Sequence, residues 1–291
     1  MILLQLIEST IRVSTPLLLA AVGGIVCERS GVINIALEGK MLIGAFAAAA
    51  VSHLIGSPWI GVGAAIIFGA ITAAFYALIV IEFKADQIVA GTAVNMLAVG
   101  LTPFVSKIMF DSTGSTPALP LSSRFQVAPV IISWLVVIMV WAWMKYIPTG
   151  RWVRFAGEHP EALEASGISV RAVRWWSVIA GGCFAGLAGS TLSIFLASSF
   201  SRNMTAGRGF IALAAVIFGK WHPLYAAAAC LFFGFAEALQ IRLQGVTLWD
   251  GVSVPVQFIQ IMPYVATVFV LAGFIGRARP PRSLGLPFKK G

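Results

Sequence analysis

Acidic and histidine side chains lie side by side in one polar segment of the chain. Glu158, His159 and Glu161 are residue types that bind metals, but the segment supplies one histidine where a metalloprotease helix pairs two. His53 and His222 are far away in sequence and assemble no Ser/His/Asp set. The chain also lacks the Gly-x-x-x-x-Gly-Lys-Ser/Thr loop that cradles nucleotide phosphates. We therefore predict no enzymatic activity, no bound metal and no cofactor. Any energy that drives the protein must then come from a partner subunit or from an ion gradient.

A second group of polar residues lies inside apolar stretches, where exposure to lipid is costly. Asn34 and Glu38 are one helical turn apart, and Glu237 and Gln240 are spaced to share a helix face. Such faces suit either a polar solute or an opposing helix, and both interpretations stay open. The candidate solute-path residues are Asn34, Glu38, Thr92, Asn95, Glu237 and Gln240.

The composition indicates which kind of structure must hold these residues in place. Hydrophobic residues make up 59% of the 291 residues and charged residues only 11%, whereas a soluble domain carries about 25% charged residues. The chain is therefore predicted to be a single all-α domain, 1–291, that is embedded in membrane lipid. The net charge of +9 does not indicate nucleic acid, because Lys and Arg concentrate in the cytoplasmic loops of membrane proteins.

Nine segments are long and apolar enough to be predicted as membrane helices, within a range of eight to ten. The seventh is short for a full crossing, and the loop 111–126 holds no separate domain. The predicted segments are 10–27, 37–56, 59–81, 88–109, 127–146, 174–196, 205–219, 223–243 and 256–275.

Basic residues set the expected orientation. If the segment 147–173 is cytoplasmic, thirteen Lys and Arg side chains lie inside and six outside, which puts the N-terminus outside and the C-terminus inside. The inside set is Arg29, Lys84, Lys145, Arg151, Arg154, Arg171, Arg174, Lys220, Arg277, Arg279, Arg282, Lys289 and Lys290. The outside set is Arg12, Lys107, Arg124, Arg202, Arg208 and Arg242.

An internal similarity indicates a possible inverted repeat. Residues 44–73 align without a gap over residues 209–238, and the alignment pairs Pro58 with Pro223 and Gly69 with Gly234. The second copy lies five segments after the first, an odd number, so the two copies would run in opposite directions. Repeats of this kind place a substrate path between the halves, although small residues recur freely in membrane helices.

The polar segment 147–173 is predicted to hold a short exposed helix. Gly157 is a helix breaker, Pro160 suits the first turn of a helix, and Gly167 suits its end. Physical chemistry alone favours an ordinary linker helix on the membrane surface over a protruding helix that binds a partner protein.

The sequence motifs favour the second interpretation, a protruding helix that binds a partner protein. The run Glu158-His-Pro-Glu-Ala-Leu-Glu-Ala-Ser-Gly-Ile resembles the coupling loop of permease subunits of bacterial ABC importers, in the ribose, branched-chain amino acid and nucleoside permease family. Glu28-Arg-Ser-Gly-Val-Ile-Asn-Ile-Ala-Leu-Glu-Gly resembles the N-terminal signature of that family, although Lys40 follows where an apolar residue is usual. The run from Gly207 to Pro223 resembles its second long motif, and Arg282-Ser-Leu-Gly-Leu-Pro-Phe resembles the tail of its nucleoside and simple-sugar branch.

The resemblance implies a transport subunit of the bacterial inner membrane that carries a nucleoside or a simple sugar. It implies a separate ATPase subunit, a second permease that is a homologous paralogue, and an extracytoplasmic solute-binding protein. The alternative is an ion-coupled secondary transporter that uses Glu38, Asp86 or Glu237 as a proton relay. The implied ATPase-coupling residues are Gly157, Glu158, His159, Pro160, Glu161, Ala162, Glu164 and Gly167.

Overall fold

The computed structural model describes residues 2–120, 124–243, 261, 265 and 279–288. Within these residues the chain is helical, and its only β pairing is an isolated bridge between Ser115 and Ser201. The prediction of an all-α membrane protein is confirmed. The helices are α1 (Ile2–Arg29), α2 (Leu37–Ile55), α3 (Pro58–Ala77), α4 (Gln87–Phe110), α5 (Ala128–Tyr146), α6 (Pro148–Glu158), α7 (Pro160–Ala165), α8 (Val170–Ser190), α9 (Arg208–Phe218) and α10 (Pro223–Leu243). Helices α3 and α8 each continue into a π-helical turn, Leu78–Glu82 and Thr191–Leu196.

Seven helices of the described part are long and apolar enough to cross a membrane. Together with α9 they account for eight of the nine predicted segments, and the ninth, 256–275, lies outside the described ranges apart from residues 261 and 265. Helix α9 has 11 residues, which span about 16 Å against the ~30 Å of a bilayer core. Non-helical residues 197–207 precede α9, so the seventh segment is a short helix that follows a non-helical stretch.

Two sequence-based boundaries need correction. Helix α1 begins at Ile2, well before residue 10, and Glu8 and Arg12, which lie one turn apart on this helix, pair at 4.0 Å. In the polar segment, the break falls at His159 and not at Gly157, which lies within α6. A residue before proline is sterically pushed out of the helical region, and His159 has φ −142° and ψ 67°.

Helices α1, α2 and α8 form the centre of the bundle, and most of their surface is buried. Helices α1 and α8 cross where a Cβ atom on Gly23 would lie 2.7 Å from the carbonyl oxygen of Gly181. A Cβ on Gly181 would lie 2.8 Å from the Gly23 carbonyl oxygen. Small residues allow this approach, and packing drives helix association in a membrane.

The packing of the helices agrees with the inverted repeat. Helices α2 and α3 pack on α8, whereas α9 and α10 pack on α1. Gly69 of α3 approaches Gly182 of α8, and its sequence equivalent Gly234 of α10 approaches Ser14 of α1. Helix α3 leads towards Glu82, which contacts Arg171, while α10 starts on the same side of the bundle. The two copies therefore cross the bundle in opposite directions.

Candidate functional site

One end of the bundle gathers the segment 147–173, the C-terminal residues 279–288 and the end of α1, and we call it the basic end. Arg29 donates to the carbonyl oxygen of Trp221 at 3.0 Å and lies 3.5 Å from Glu158. Glu82 and Arg171 form an ion pair at 2.7 Å. The basic end thus joins the last turn of α1, the turn before α10 and the start of α8.

Helix α7 is a six-residue helix at the basic end, anchored by one side chain. Leu163 is buried in a cluster with Ala156 and Val170. Glu164 accepts a hydrogen bond from the Val170 amide at 2.8 Å and so closes the turn into α8. Gly167 has φ +85°, a conformation that favours glycine.

The predicted coupling residues divide into an exposed set and a packed set. His159, Glu161, Ala162 and Gly167 are exposed on and around α7, while Glu158, Pro160 and Glu164 are half-buried. Gly157 is buried, because a Cβ there would lie 2.2 Å from the carbonyl oxygen of Arg29. The surface offered to a partner is therefore small, and Gly157 lies beneath it.

The loop between α1 and α2, residues 30–36, is non-helical, and side chains from other elements bind its backbone. We call it the first loop. Gln87 accepts from the Ile33 amide at 2.8 Å, and the Tyr76 hydroxyl donates to the Ile33 carbonyl at 2.7 Å. Glu28 accepts from the Asn34 amide at 3.4 Å and from the Trp221 indole at 2.6 Å. These partners satisfy backbone groups that a membrane interior would leave without water.

Lys40 is fully buried beside the first loop. Its ammonium donates to the side-chain oxygen of Asn34 at 2.6 Å and lies 4.5 Å from the centre of the Tyr76 ring. The cation is thus held by an amide and an aromatic face. These contacts hold a lysine at a position where an apolar residue is usual in the family.

Glu38 and Asn95 also bind backbone groups. The two oxygens of Glu38 accept from the Gly207 amide at 2.8 Å and the Gly209 amide at 2.6 Å, at the start of α9. A carboxylate at a helix N-terminus complements the helix dipole. Asn95 accepts from the Gly39 amide at 2.8 Å and donates to the Ile35 carbonyl at 2.9 Å.

The other three solute-path candidates have different environments. Glu237 of α10 forms an ion pair with Arg208. Thr92 is exposed on α4 and donates to the Val89 carbonyl of its own helix at 2.9 Å. Gln240 is half-buried on α10. Asn34, Glu38, Asn95 and Glu237 therefore bind groups of other elements or loops, whereas Thr92 binds only within its own helix and is the most accessible of the six.

Sequence reasoning missed the role of the C-terminal residues and of Arg174. Arg174 is 3% exposed and donates to the Ser30 and Leu286 carbonyls and to the Ser283 hydroxyl. Its role is therefore structural, because its guanidinium joins the first loop to the C-terminal residues. Nothing in the tail motif indicates which distant residues it touches, although Gly31 and Gly285 are typical of positions with positive φ, which both adopt.

His222 lies beside several cations at the basic end. Burial and the nearby charges of Arg29, Arg154 and Lys145 lower the pKa of its imidazole below the usual value. Among the described residues, no group of three or more His, Cys, Asp or Glu side chains is arranged to hold a metal.

Comparison with known proteins agrees with this arrangement of a helical bundle and an exposed polar segment. A family model described as the branched-chain amino acid transport system permease component matches residues 6–275. The chain belongs to this permease family. No solved structure matches it.

Three relatives illustrate the similarity. The guanosine ABC transporter permease protein NupQ of Bacillus subtilis is 36% identical, over 100% of this chain and 98% of its own length. The nucleoside ABC transporter permease protein NupC of Lactococcus lactis is 32% identical, over 99% and 98%. A second Bacillus subtilis protein, the guanosine ABC transporter permease protein NupP, is 25% identical over 92% of this chain and 81% of its own length.

Proposed function

We propose that the chain is the permease subunit of an ATP-driven importer of nucleosides or related simple sugars. The observation that carries this proposal is the full-length similarity to NupQ and NupC, whose names describe guanosine and nucleoside ABC permeases. The exposed helix α7 supports it, because an importer permease needs a surface on which a separate ATPase can act.

The proposed importer has three kinds of partner. An ATPase subunit docks on the exposed residues around α7. A second, homologous permease completes the path, which is supported by the occurrence of two guanosine permeases, NupP and NupQ, in one organism. A solute-binding protein delivers the solute on the other side. We place the protein in the bacterial inner membrane with the basic end in the cytoplasm, the N-terminus outside and the C-terminus inside.

We assign the solute path to the faces of α4 and α10 that carry Thr92 and Gln240. Both side chains keep accessible surface, whereas Glu38 and Asn95 are occupied by backbone groups. Thr92 is a polar residue among exposed apolar residues such as Val89 and Met96. A second permease on this face would enclose it.

Uptake by cells that co-express the chain with its ATPase, second permease and binding protein tests the proposal. Radiolabelled guanosine is the probe, and ribose and leucine are the competitors. Uptake should stop when the Walker lysine of the ATPase is replaced, and it should survive an ion uncoupler. Uptake that an uncoupler abolishes and the Walker substitution leaves intact would instead establish the ion-coupled alternative. Competition by leucine alone would contradict the solute assignment.

A further inference from the structure

A short terminal segment, residues 280–288, joins separate parts of the basic end, and we call it the strap. The amide and the hydroxyl of Ser283 both lie 2.8 Å from the carbonyl oxygen of Gly157 near the end of α6. The Gly285 amide donates to the Gly31 carbonyl of the first loop at 3.0 Å. Phe288 packs against the cluster that contains Leu163 of α7. The strap therefore contacts both the α6–α7 segment and the first loop.

Arg174 of α8 holds this junction together. Its guanidinium donates to the Ser30 carbonyl at 3.1 Å, the Ser283 hydroxyl at 3.2 Å and the Leu286 carbonyl at 2.8 Å. One acceptor belongs to the first loop and two belong to the strap. Because the guanidinium fork is planar and rigid, it holds these acceptors in one relative position.

The junction is closely packed at Gly31. Gly31 has φ +96°, and a Cβ there would lie 2.8 Å from both the Arg174 guanidinium and the Ser283 hydroxyl oxygen. The Gly157 backbone also lies directly against the start of the first loop, since a Cβ there would lie 2.2 Å from the Arg29 carbonyl oxygen and 3.2 Å from the Gly31 nitrogen. Packed groups of this kind transmit displacement, because interiors are dense and have low compressibility.

Helix α7 also contacts α8 directly through Leu163 and Glu164, whereas the link between α8 and Glu82 is weaker. A cavity of about 440 Å³ in this region is lined by Glu82, Lys84, Glu164, Arg174 and Phe288 of the strap, among others. The ion pair of Arg171 with Glu82 crosses this region, but the Arg171 side chain is 68% exposed. Exposed ion pairs contribute little, so the strap contacts are the more densely packed of these two links.

We propose that the strap transmits movement of α7 to the first loop, and that Arg174 is the positioning residue that makes this transmission rigid. The inference rests on the proposed function, since it assumes that an ATPase moves α7. It concerns a step after docking: ATPase binding depends on the exposed surface of α7, whereas transport depends on the strap. Loss of the strap contacts should therefore separate ATP hydrolysis from solute movement.

The test measures solute transported per ATP hydrolysed by the complete transporter in proteoliposomes. R174Q removes the guanidinium, and S283A removes one hydroxyl with little effect on folding. R171Q is the matched control, since it changes the same residue type one turn earlier on α8. We expect R174Q to co-purify with the ATPase and keep its ATPase activity, while transport per ATP falls at least about five-fold, the lower end of typical coupling between sites. S283A should shift the ratio in the same direction by less, and R174K should recover part of the loss.

The inference is overturned if R174Q and S283A both keep the wild-type ratio, or if uptake and hydrolysis fall in equal proportion. It is also overturned if R171Q lowers the ratio as much as R174Q does. If R174Q fails to assemble with the other subunits, S283A alone tests the inference, by the same ratio of solute transported to ATP hydrolysed. Wild-type transport that does not depend on the ATPase would instead contradict the proposed function, so the two failures are distinguishable.

Discussion

Two non-helical loops in the described part of the chain each precede one of the equivalent helix pairs, and they are held in different ways. The first loop, residues 30–36, is bound by side chains of α1, α3 and α4 and by the strap. The loop before α9, residues 197–207, is bound by Glu38 of α2 and by the segment between α4 and α5, where Thr116 and Arg124 donate or accept hydrogen bonds. We call it the second loop.

This difference indicates how the two halves are connected. The first loop is tied directly to the basic end, whereas the second loop is bound by Glu38 of α2. Glu38 therefore links the start of the first helix pair to the start of the second. Helices α8 and α9 also connect the basic end to the second loop along the chain.

Removal of Glu38 should have the largest effect of these substitutions on the stability of the protein. E38A leaves the Gly207 and Gly209 amides without their acceptors at the start of α9. Hydrogen bonds to a charged group contribute about 1.5–3 kcal/mol each, so we expect a loss of about 3 kcal/mol or more in the free energy of unfolding. Thermal unfolding of the purified protein measures this loss. E38Q keeps one carbonyl acceptor and should lose less, so equal stability of E38A and wild type would refute the linking role.

Replacement of Asn95 should loosen the first loop and leave the second unchanged. N95L removes the acceptor of the Gly39 amide and the donor to the Ile35 carbonyl. Because two buried backbone groups lose their partners, we expect a loss of about 2 kcal/mol in the same unfolding measurement. T92V on the exposed face of α4 is the control and should stay within about 0.5 kcal/mol of wild type. If N95L is as stable as wild type but has an altered solute affinity, Asn95 belongs to the solute path and its hydrogen bonds are not essential to the fold.

The pairing of Lys40 with Asn34 should appear as an energetic coupling. K40M removes the cation and leaves the Asn34 oxygen unpaired, whereas N34L leaves the cation without its acceptor. The double variant replaces both polar groups with apolar ones, which is often neutral for a buried charge. A double-mutant cycle should therefore give a coupling of about 1–2 kcal/mol, and strictly additive losses would exclude the contact.

Protonation of His222 should give the smallest effect. Its pKa is lowered from the usual 6.5 in the folded protein, so the neutral imidazole contributes stability above pH 6.5 that is lost as the pH falls through the folded pKa. Arg29, Arg154 and Lys145 face it and disfavour the charged form. Unfolding measured between pH 7 and 5 should show a decline that H222Q reduces. An identical pH profile for H222Q would show that other groups cause the decline.

The membrane helices were largely predictable, because apolar length is visible in a single sequence. The short seventh segment could also be predicted. The non-helical residues before α9 could not, since their conformation depends on Glu38 being close enough to bind Gly207 and Gly209. The break at His159 was misplaced by two residues from Gly157 because the steric effect of Pro160 acts on the preceding residue.

The candidate site was predictable where its residues are neighbours in sequence. The exposed helix around Glu161 follows from local proline and glycine signals. The partners of Asn34, Asn95 and Arg174 come from distant parts of the chain, and no spacing rule indicates them. Polar residues in the spans are consistent with either packing or a solute path until those partners are known.

Site-specific photocrosslinking is the most direct test of the central claim, that α7 is the surface on which an ATPase acts. A photoreactive residue at exposed Ala162 should crosslink to the co-expressed ATPase, and one at exposed Thr113, beyond the opposite end of α4, should not. The Ala162 crosslink should weaken when E161R is added, together with loss of uptake in a folded protein. Absence of an Ala162–ATPase crosslink in a transporter that is active, or full uptake by E161R, would contradict the account.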